Sequence, residues 1–291
     1  MEEVKLIVDS KSSLGEGPCW DEDEQCLYWV DILEEKLHIY NSKEKSNKTI
    51  QLDQAPGAVV KRSSGGLVLA MLDGFFIYDI QTQKLEKIVD PESHLPENRF
   101  NDGKCDPAGR FWAGSMRLDL KHDKAALYCL DTDLTVKKML EPISVSNGLA
   151  WSPDFKTMYY IDTPTQQVVA YDYNMRTGEI TNKKVAVTIP LEEGGPDGMT
   201  MDAEGKLWVA HWGGYKVSRW DPEKGKQIDE VRVPAKQVTS CAFGGENLND
   251  LYITTANVGL DSKEMEQCPY SGGLFSVKMN IKGTPSYEFK G

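Results

Sequence analysis

One phrase recurs along this chain at a spacing that leaves few folds open. It is clearest in NGLAWSPDFKTMYYIDTPTQQVVAYDYNMRTGEI from Asn147 and in DGMTMDAEGKLWVAHWGGYKVSRWDPEKGKQI from Asp197. Each reads as a small polar residue and a glycine, a short apolar run, a turn, an aromatic-rich run, a second turn and a third alternating run. The phrase returns from Glu16, Ala58, Asp102 and Ser240, and successive copies begin 42 to 50 residues apart. Six copies of about four short strands each are the pattern of a β-propeller, in which a unit too small to bury its own faces stacks against its neighbours. In the Asn147 copy strands are expected near Gly148–Ser152, Thr157–Asp162, Val168–Tyr173 and Lys184–Ile189, separated by Ser-Pro-Asp, Thr-Pro and Arg-Thr-Gly turns.

The expectation is therefore an all-β, six-bladed β-propeller of four-stranded antiparallel blades around a central channel, one domain over residues 1–291. The segment KLIVDS ahead of Glu16 suits an extra strand that closes the ring against the last blade. A β-sandwich would show no such self-similarity, and no linker-like stretch divides the chain.

Charge narrows the partners. With 33 Lys and Arg against 45 Asp and Glu, the net charge of −12 repels phosphate backbones and anionic lipid. Neither nucleic acid nor a membrane is expected as a partner, and the oligomeric state is left open. No run of roughly 18 apolar residues exists and the start, MEEVKLIVDSKSS, has no signal-peptide core, so a cytoplasmic protein is expected. The six cysteines form no C-x-x-C pair and read as reduced, buried thiols.

In a propeller the first strand of each blade lines the channel, so residues at one phase of the repeat converge although they lie far apart in sequence. That set is Glu16, Ala58, Asp102, Asn147, Asp197 and Ser240, and five of the six carry a side-chain oxygen. Carboxylates gathered this way repel one another unless a cation sits between them. Glu16, Asn147 and Asp197 supply two carboxylates and an amide oxygen, a hard donor set for one divalent cation. Calcium is expected first, then magnesium or manganese; zinc stays open although no local motif supports it. Arg99 and Asn101 sit one alternation apart just before Asp102, placed to orient an oxygen-rich substrate. The charged segment Arg117–Lys124 reads as a lid or a solvated loop. No nucleophile elbow, P-loop or dinucleotide fingerprint is present, which leaves water as the attacking group.

With LGEGPCW, NRFNDGKCDPAGRFWAGSM, SNGLAWSPD, MYYID, PDGMTMDAEGKLWVA, VTSCAFGG and LYITTA in view, the chain resembles the gluconolactonase, regucalcin (senescence marker protein) and luciferin-regenerating enzyme family. The resemblance spans nearly the whole chain and implies a six-bladed propeller. It also implies that Glu16, Asn147 and Asp197 hold the ion, that Asp197 moves a proton, and that Arg99 and Asn101 bind the sugar lactone. Asp119 stands where mammalian members have Glu, a substrate-binding carboxylate on a shorter arm. The expected activity is a metal-dependent lactonase opening gluconolactone-like substrates. A noncatalytic calcium-binding regulator or scaffold, or an aryl-ester or organophosphate hydrolase using the same ion, are the alternatives.

Overall fold

The computed structural model describes residues 3–291. After β1 (Lys5–Val8), the chain builds one blade at a time. The first blade holds β2 (Gly15–Asp21), β3 (Cys26–Asp31), β4 (Lys36–Asn41) and β5 (Ser46–Gln51). The second holds β6 (Pro56–Lys61), β7 (Leu67–Met71), β8 (Gly74–Asp79) and β9 (Lys84–Val89). The third holds β10 (Asn98–Cys105), β11 (Phe111–Arg117), β12 (Ala125–Leu130) and β13 (Val136–Ile143). The fourth holds β14 (Ser146–Trp151), β15 (Thr157–Asp162), β16 (Gln167–Tyr173) and β17 (Ile180–Thr188). The fifth holds β18 (Gly195–Met201), β19 (Leu207–Trp212), β20 (Lys216–Asp221) and β21 (Lys226–Arg232). The sixth takes β22 (Gln237–Gly244), β23 (Asp250–Ala256) and β24 (Leu274–Lys278) and completes its sheet with β1. The result is the expected six-bladed propeller of four-stranded antiparallel sheets.

The expected closure is present: β1 pairs antiparallel with β24, so the outermost strand of the last blade comes from the other end of the chain. Apolar clusters fill the spaces between neighbouring blades; Trp208 and Val217 of the fifth, for example, meet Cys241, Phe243 and Ile253 of the sixth.

The repeated phrase has a local cause. In DPAGRFW, Asp106 Oδ1 accepts from the amides of Ala108 and Arg110 while Oδ2 accepts from Trp112 Nε1 at 3.0 Å. In DAEGKLW, Asp202 does the same with Glu204, Lys206 and Trp208 Nε1 at 2.9 Å. One carboxylate thus ties a turn to the tryptophan at the second position of the next strand. Gly109 (φ +91°) and Gly205 (φ +73°) supply the left-handed step the turn requires.

Two features were not legible in the repeat. A six-residue helix, α1 (Ser262–Gln267), caps the connection between β23 and β24, with Asp261 and Glu264 forming a reciprocal capping box. Beyond β24, residues 280–291 run as a strap across the end of the channel where the inner strands finish. Lys282 O accepts from Ala203 N, Thr284 N donates to Met201 O, and Phe289 exchanges backbone bonds with Lys61 and Ser63. Among the described residues no helix is long and apolar enough to cross a membrane.

Candidate functional site

Every inner strand breaks register at the same phase. The pairing slips between Glu16 and Cys19, Pro56 and Ala58, Phe100 and Gly103, Asn147 and Leu149, Pro196 and Met199, and Val238 and Ser240. A bulge re-aims the side chain at the irregularity, which turns the phase residues toward the axis. The glycines beside them are obligatory where inner strands approach closely: a Cβ on Gly198 would lie 2.1 Å from Ser240 Oγ, and one on Gly57 2.5 Å from the Phe100 carbonyl.

Glu16, Asn147 and Asp197 are 5%, 4% and 5% exposed, and Asp102 is 4% exposed. Burial, then the neighbouring Asp102, pushes the Glu16 carboxyl from 4.5 up to about 8; the Gly17 amide and Arg99 act against the rise. Burial, then Glu16 and Asp102, raises Asp197 well above the carboxylate range, opposed by bonds from the Gly198 amide and the Asn147 side chain. Asp102 is likewise raised by burial, with Lys104 pulling the other way. Three acids from the first, third and fifth blades therefore share one electrostatic site.

The amides order it. Asn147 Nδ2 donates to Thr163 Oγ1 at 2.9 Å, and Thr163 Oγ1 donates to Pro196 O at 2.8 Å, the carbonyl next to Asp197. This leaves Asn147 Oδ1 with a single long contact, Asn101 Nδ2 at 3.4 Å. Arg99 Nη1 donates to Phe100 O at 2.9 Å and to Asn101 Oδ1 at 2.8 Å. Its remaining three N–H donors, of the five a guanidinium carries, bond to no described residue. Burial lowers Arg99 to about 10, with Glu16 and Asp197 holding it up, so it stays charged at neutral pH.

The structure thus brings Glu16, Asn147, Asp197, Arg99 and Asn101 into one site. Asp119 is carried by the exposed loop after β11, ion-paired to Arg117 Nε at 2.7 Å and Lys121 Nζ at 2.9 Å; those cations hold its carboxyl well below the usual range. Thr163 was missed by sequence reading, because Asp-Thr-Pro looks like a plain turn. Among the described residues no three His, Cys, Asp or Glu side chains are already gathered as a cage for an ion. The fit to a divalent cation rests instead on the donor chemistry: two buried carboxylates whose charged forms burial disfavours more than their partners restore, and an amide oxygen whose one partner is distant.

Residues 14–257 match the model of the SMP-30/Gluconolactonase/LRE-like region. The chain belongs to that family. It is 43% identical over 98% of each chain to a Bacillus subtilis protein provisionally assigned as sugar lactone lactonase YvrE. It is 40% identical to regucalcin of Danio rerio, covering 99% of this chain and 98% of that one. The solved structure of a calcium-binding protein, regucalcin from Agrobacterium tumefaciens, superposes with a TM-score of 0.94 at 32% identity, over 98% of this chain and 96% of that one.

Proposed function

We propose that this chain is a cytoplasmic, single-domain lactonase that opens sugar lactones with the help of one divalent cation, calcium first, held by Glu16, Asn147 and Asp197. The observation that carries the reading is the convergence of buried acids, raised because burial outweighs their partners, with an arginine and an amide that retain free hydrogen-bonding capacity. The bacterial relative's assignment as a sugar lactone lactonase supports the substrate class. The regucalcin neighbour's description as calcium-binding supports the ion.

When bound, the ion would polarise the lactone carbonyl and favour the charge that develops on its oxygen. The chain's own residues do the rest. Arg99 and Asn101 bind and orient the sugar hydroxyls, their geometry fixed by the bond between them and by Asn101 Nδ2 donating to Ser146 O at 2.8 Å. Asp197 accepts the proton of the attacking water on its carboxylate and returns it to the ring oxygen as the ester bond breaks. Thr163 accepts from Asn147 Nδ2, which fixes the amide so that its Oδ1 is the atom left for an ion. The segment Arg117–Lys124, with Leu118 and Leu120 exposed, serves as the loop that selects among lactones, with Asp119 contributing to binding.

The test is turnover on a panel of lactones after chelation and add-back of calcium, magnesium, manganese and zinc. Loss on chelation and recovery with one ion is expected; undiminished turnover in chelator would refute the cation's role. Calcium binding without turnover on any lactone, aryl ester or organophosphate would favour the noncatalytic calcium-binding reading that the regucalcin neighbour suggests.

A further inference from the structure

The acidic site leaves one charged side chain in the channel without a role. Lys104 follows Asp102 by two residues on β10, about 7 Å further along the channel at strand rise. Its ammonium donates to Met199 O at 2.7 Å, reaching from the third blade to the fifth at a point two residues past Asp197. It lines two small cavities, of about 10 and 20 Å³, whose shared far wall is Ser286 and Tyr287 of the strap. The strap encloses Lys104 from below while Asp102 and Asp197 lie above it. Of the residues lining the two cavities Asp102 alone carries a carboxylate; the others present backbone, hydroxyl, thiol and apolar groups. Its charge therefore acts on Asp102, whose ionised form it favours, and on the thiols of Cys19 and Cys241.

Three buried carboxylates against Arg99 alone leave an excess of two negative charges when all ionise; Lys104 reduces that to one. We propose that Lys104 is the internal counter-cation of Asp102, a positioning residue that shares a cavity with that carboxylate, favours its charged form beside the ion-holding acids, and moderates how tightly the site holds an ion. Its fixed hydrogen bond to Met199 O keeps the ammonium from swinging up to occupy the ion's place. Lys104 is half-buried, and Ser286 and Tyr287 of the strap narrow the space around it to cavities of about 10 and 20 Å³, which limits the water that screens its charge.

The calcium arm of the test rests on the cation reading above, and the chelator arm does not. Wild type, Lys104→Met, Asp102→Asn and the double variant are compared by calorimetry in chelator and by calcium titration calorimetry. In chelator, Lys104→Met lowers Tm, and more than half of that loss disappears in the Asp102→Asn background. Calcium affinity of Lys104→Met rises at least about tenfold, as expected when a unit charge is removed at this range. A merely structural lysine would lower Tm equally in both backgrounds and leave the affinity ratio at one, and that result overturns the proposal. If wild type binds no divalent ion the cation reading fails on its own, and the Tm comparison in chelator still decides Lys104. If Lys104→Met does not fold, a folded double variant supports the counter-charge role and an unfolded one overturns it.

Discussion

Asn101 and Asn147 meet at the boundary of the third and fourth blades, with Nδ2 of Asn101 3.4 Å from Oδ1 of Asn147 and 2.8 Å from the Ser146 carbonyl. The two amides stand 46 residues apart in sequence. Their contact joins the half of the site that would bind sugar, Arg99 and Asn101, to the half that would hold an ion. It also fixes which atom each amide presents: Asn101 gives its oxygen to Arg99, and Asn147 keeps its oxygen toward the channel.

Substitution on the ion side should separate chemistry from folding. Asp197→Asn and Asn147→Ala are expected to cut lactonase kcat by at least about a hundredfold, the scale of losing a group that acts on the transition state. Tm in the presence of the wild-type ion should change little, because both side chains sit at a bulge rather than in an interblade core. Steady-state kinetics with parallel calorimetry check this; near-wild-type turnover in either variant would remove that residue from the site.

On the sugar side, Arg99→Ala should raise KM for accepted lactones by about tenfold with a smaller change in kcat, since its free donors are assigned to ground-state orientation. Asn101→Ala should do the same and also release Arg99 Nη1. A kcat loss without a KM change would move Arg99 from binding to catalysis.

The raised acids predict a pH dependence of stability. Glu16 sits at about 8 in the folded chain against 4.5 when free, so between those values the folded state binds more protons and stability falls as pH rises. His38 and His211, held neutral by burial at about 4 instead of 6.5, act oppositely: their contribution is intact above 6.5 and is lost as pH falls toward 4. From pH 6.5 to 8 the acidic site therefore dominates among these groups. Tm in chelator should fall across that window, Glu16→Gln should flatten the fall, and saturating calcium should suppress it. Calorimetry at half-unit steps reads all three; a flat wild-type profile would count against the buried acids as drawn.

Removal of residues 1–8 tests ring closure. In β1, Leu6 packs on the cluster of Trp208, Phe243 and Phe275, while Ile7 and Val8 pack on that of Trp20, Trp29 and Tyr252. Losing these half-buried side chains and the β24 pairing should cost about 3 kcal/mol and lower Tm by roughly 5 °C. An unchanged Tm would show that β24 can serve as the edge of the last blade.

Much of the architecture was legible because a repeat constrains every copy at once. Thr157–Asp162 is predicted and observed with identical bounds, and Glu16, Asn147 and Asp197 fall at equivalent bulges as their phase required. Features outside the repeat escaped. Neither α1 nor the strap at 280–291 has a counterpart in other blades, so no periodicity announced them. The surroundings of Asp119 also lay outside the repeat, because its nearest charges, Arg117 and Lys121, are set by a loop and not by a blade.

The sequence by itself determined the number of blades, the phase at which each inner strand bulges, and which residue types stand at that phase. All of these follow from local turn chemistry and strand alternation, which act over a few residues and leave a periodic record. Only the tertiary structure decided which side chains face one another across the axis: that Asn101 turns its amide to Asn147, that Thr163 orients Asn147, and that Lys104 lies beneath the acids with the strap behind it. Those relations join residues tens of positions apart through burial and Coulomb forces, and such forces depend on distance in space, which the order of residues along the chain does not state.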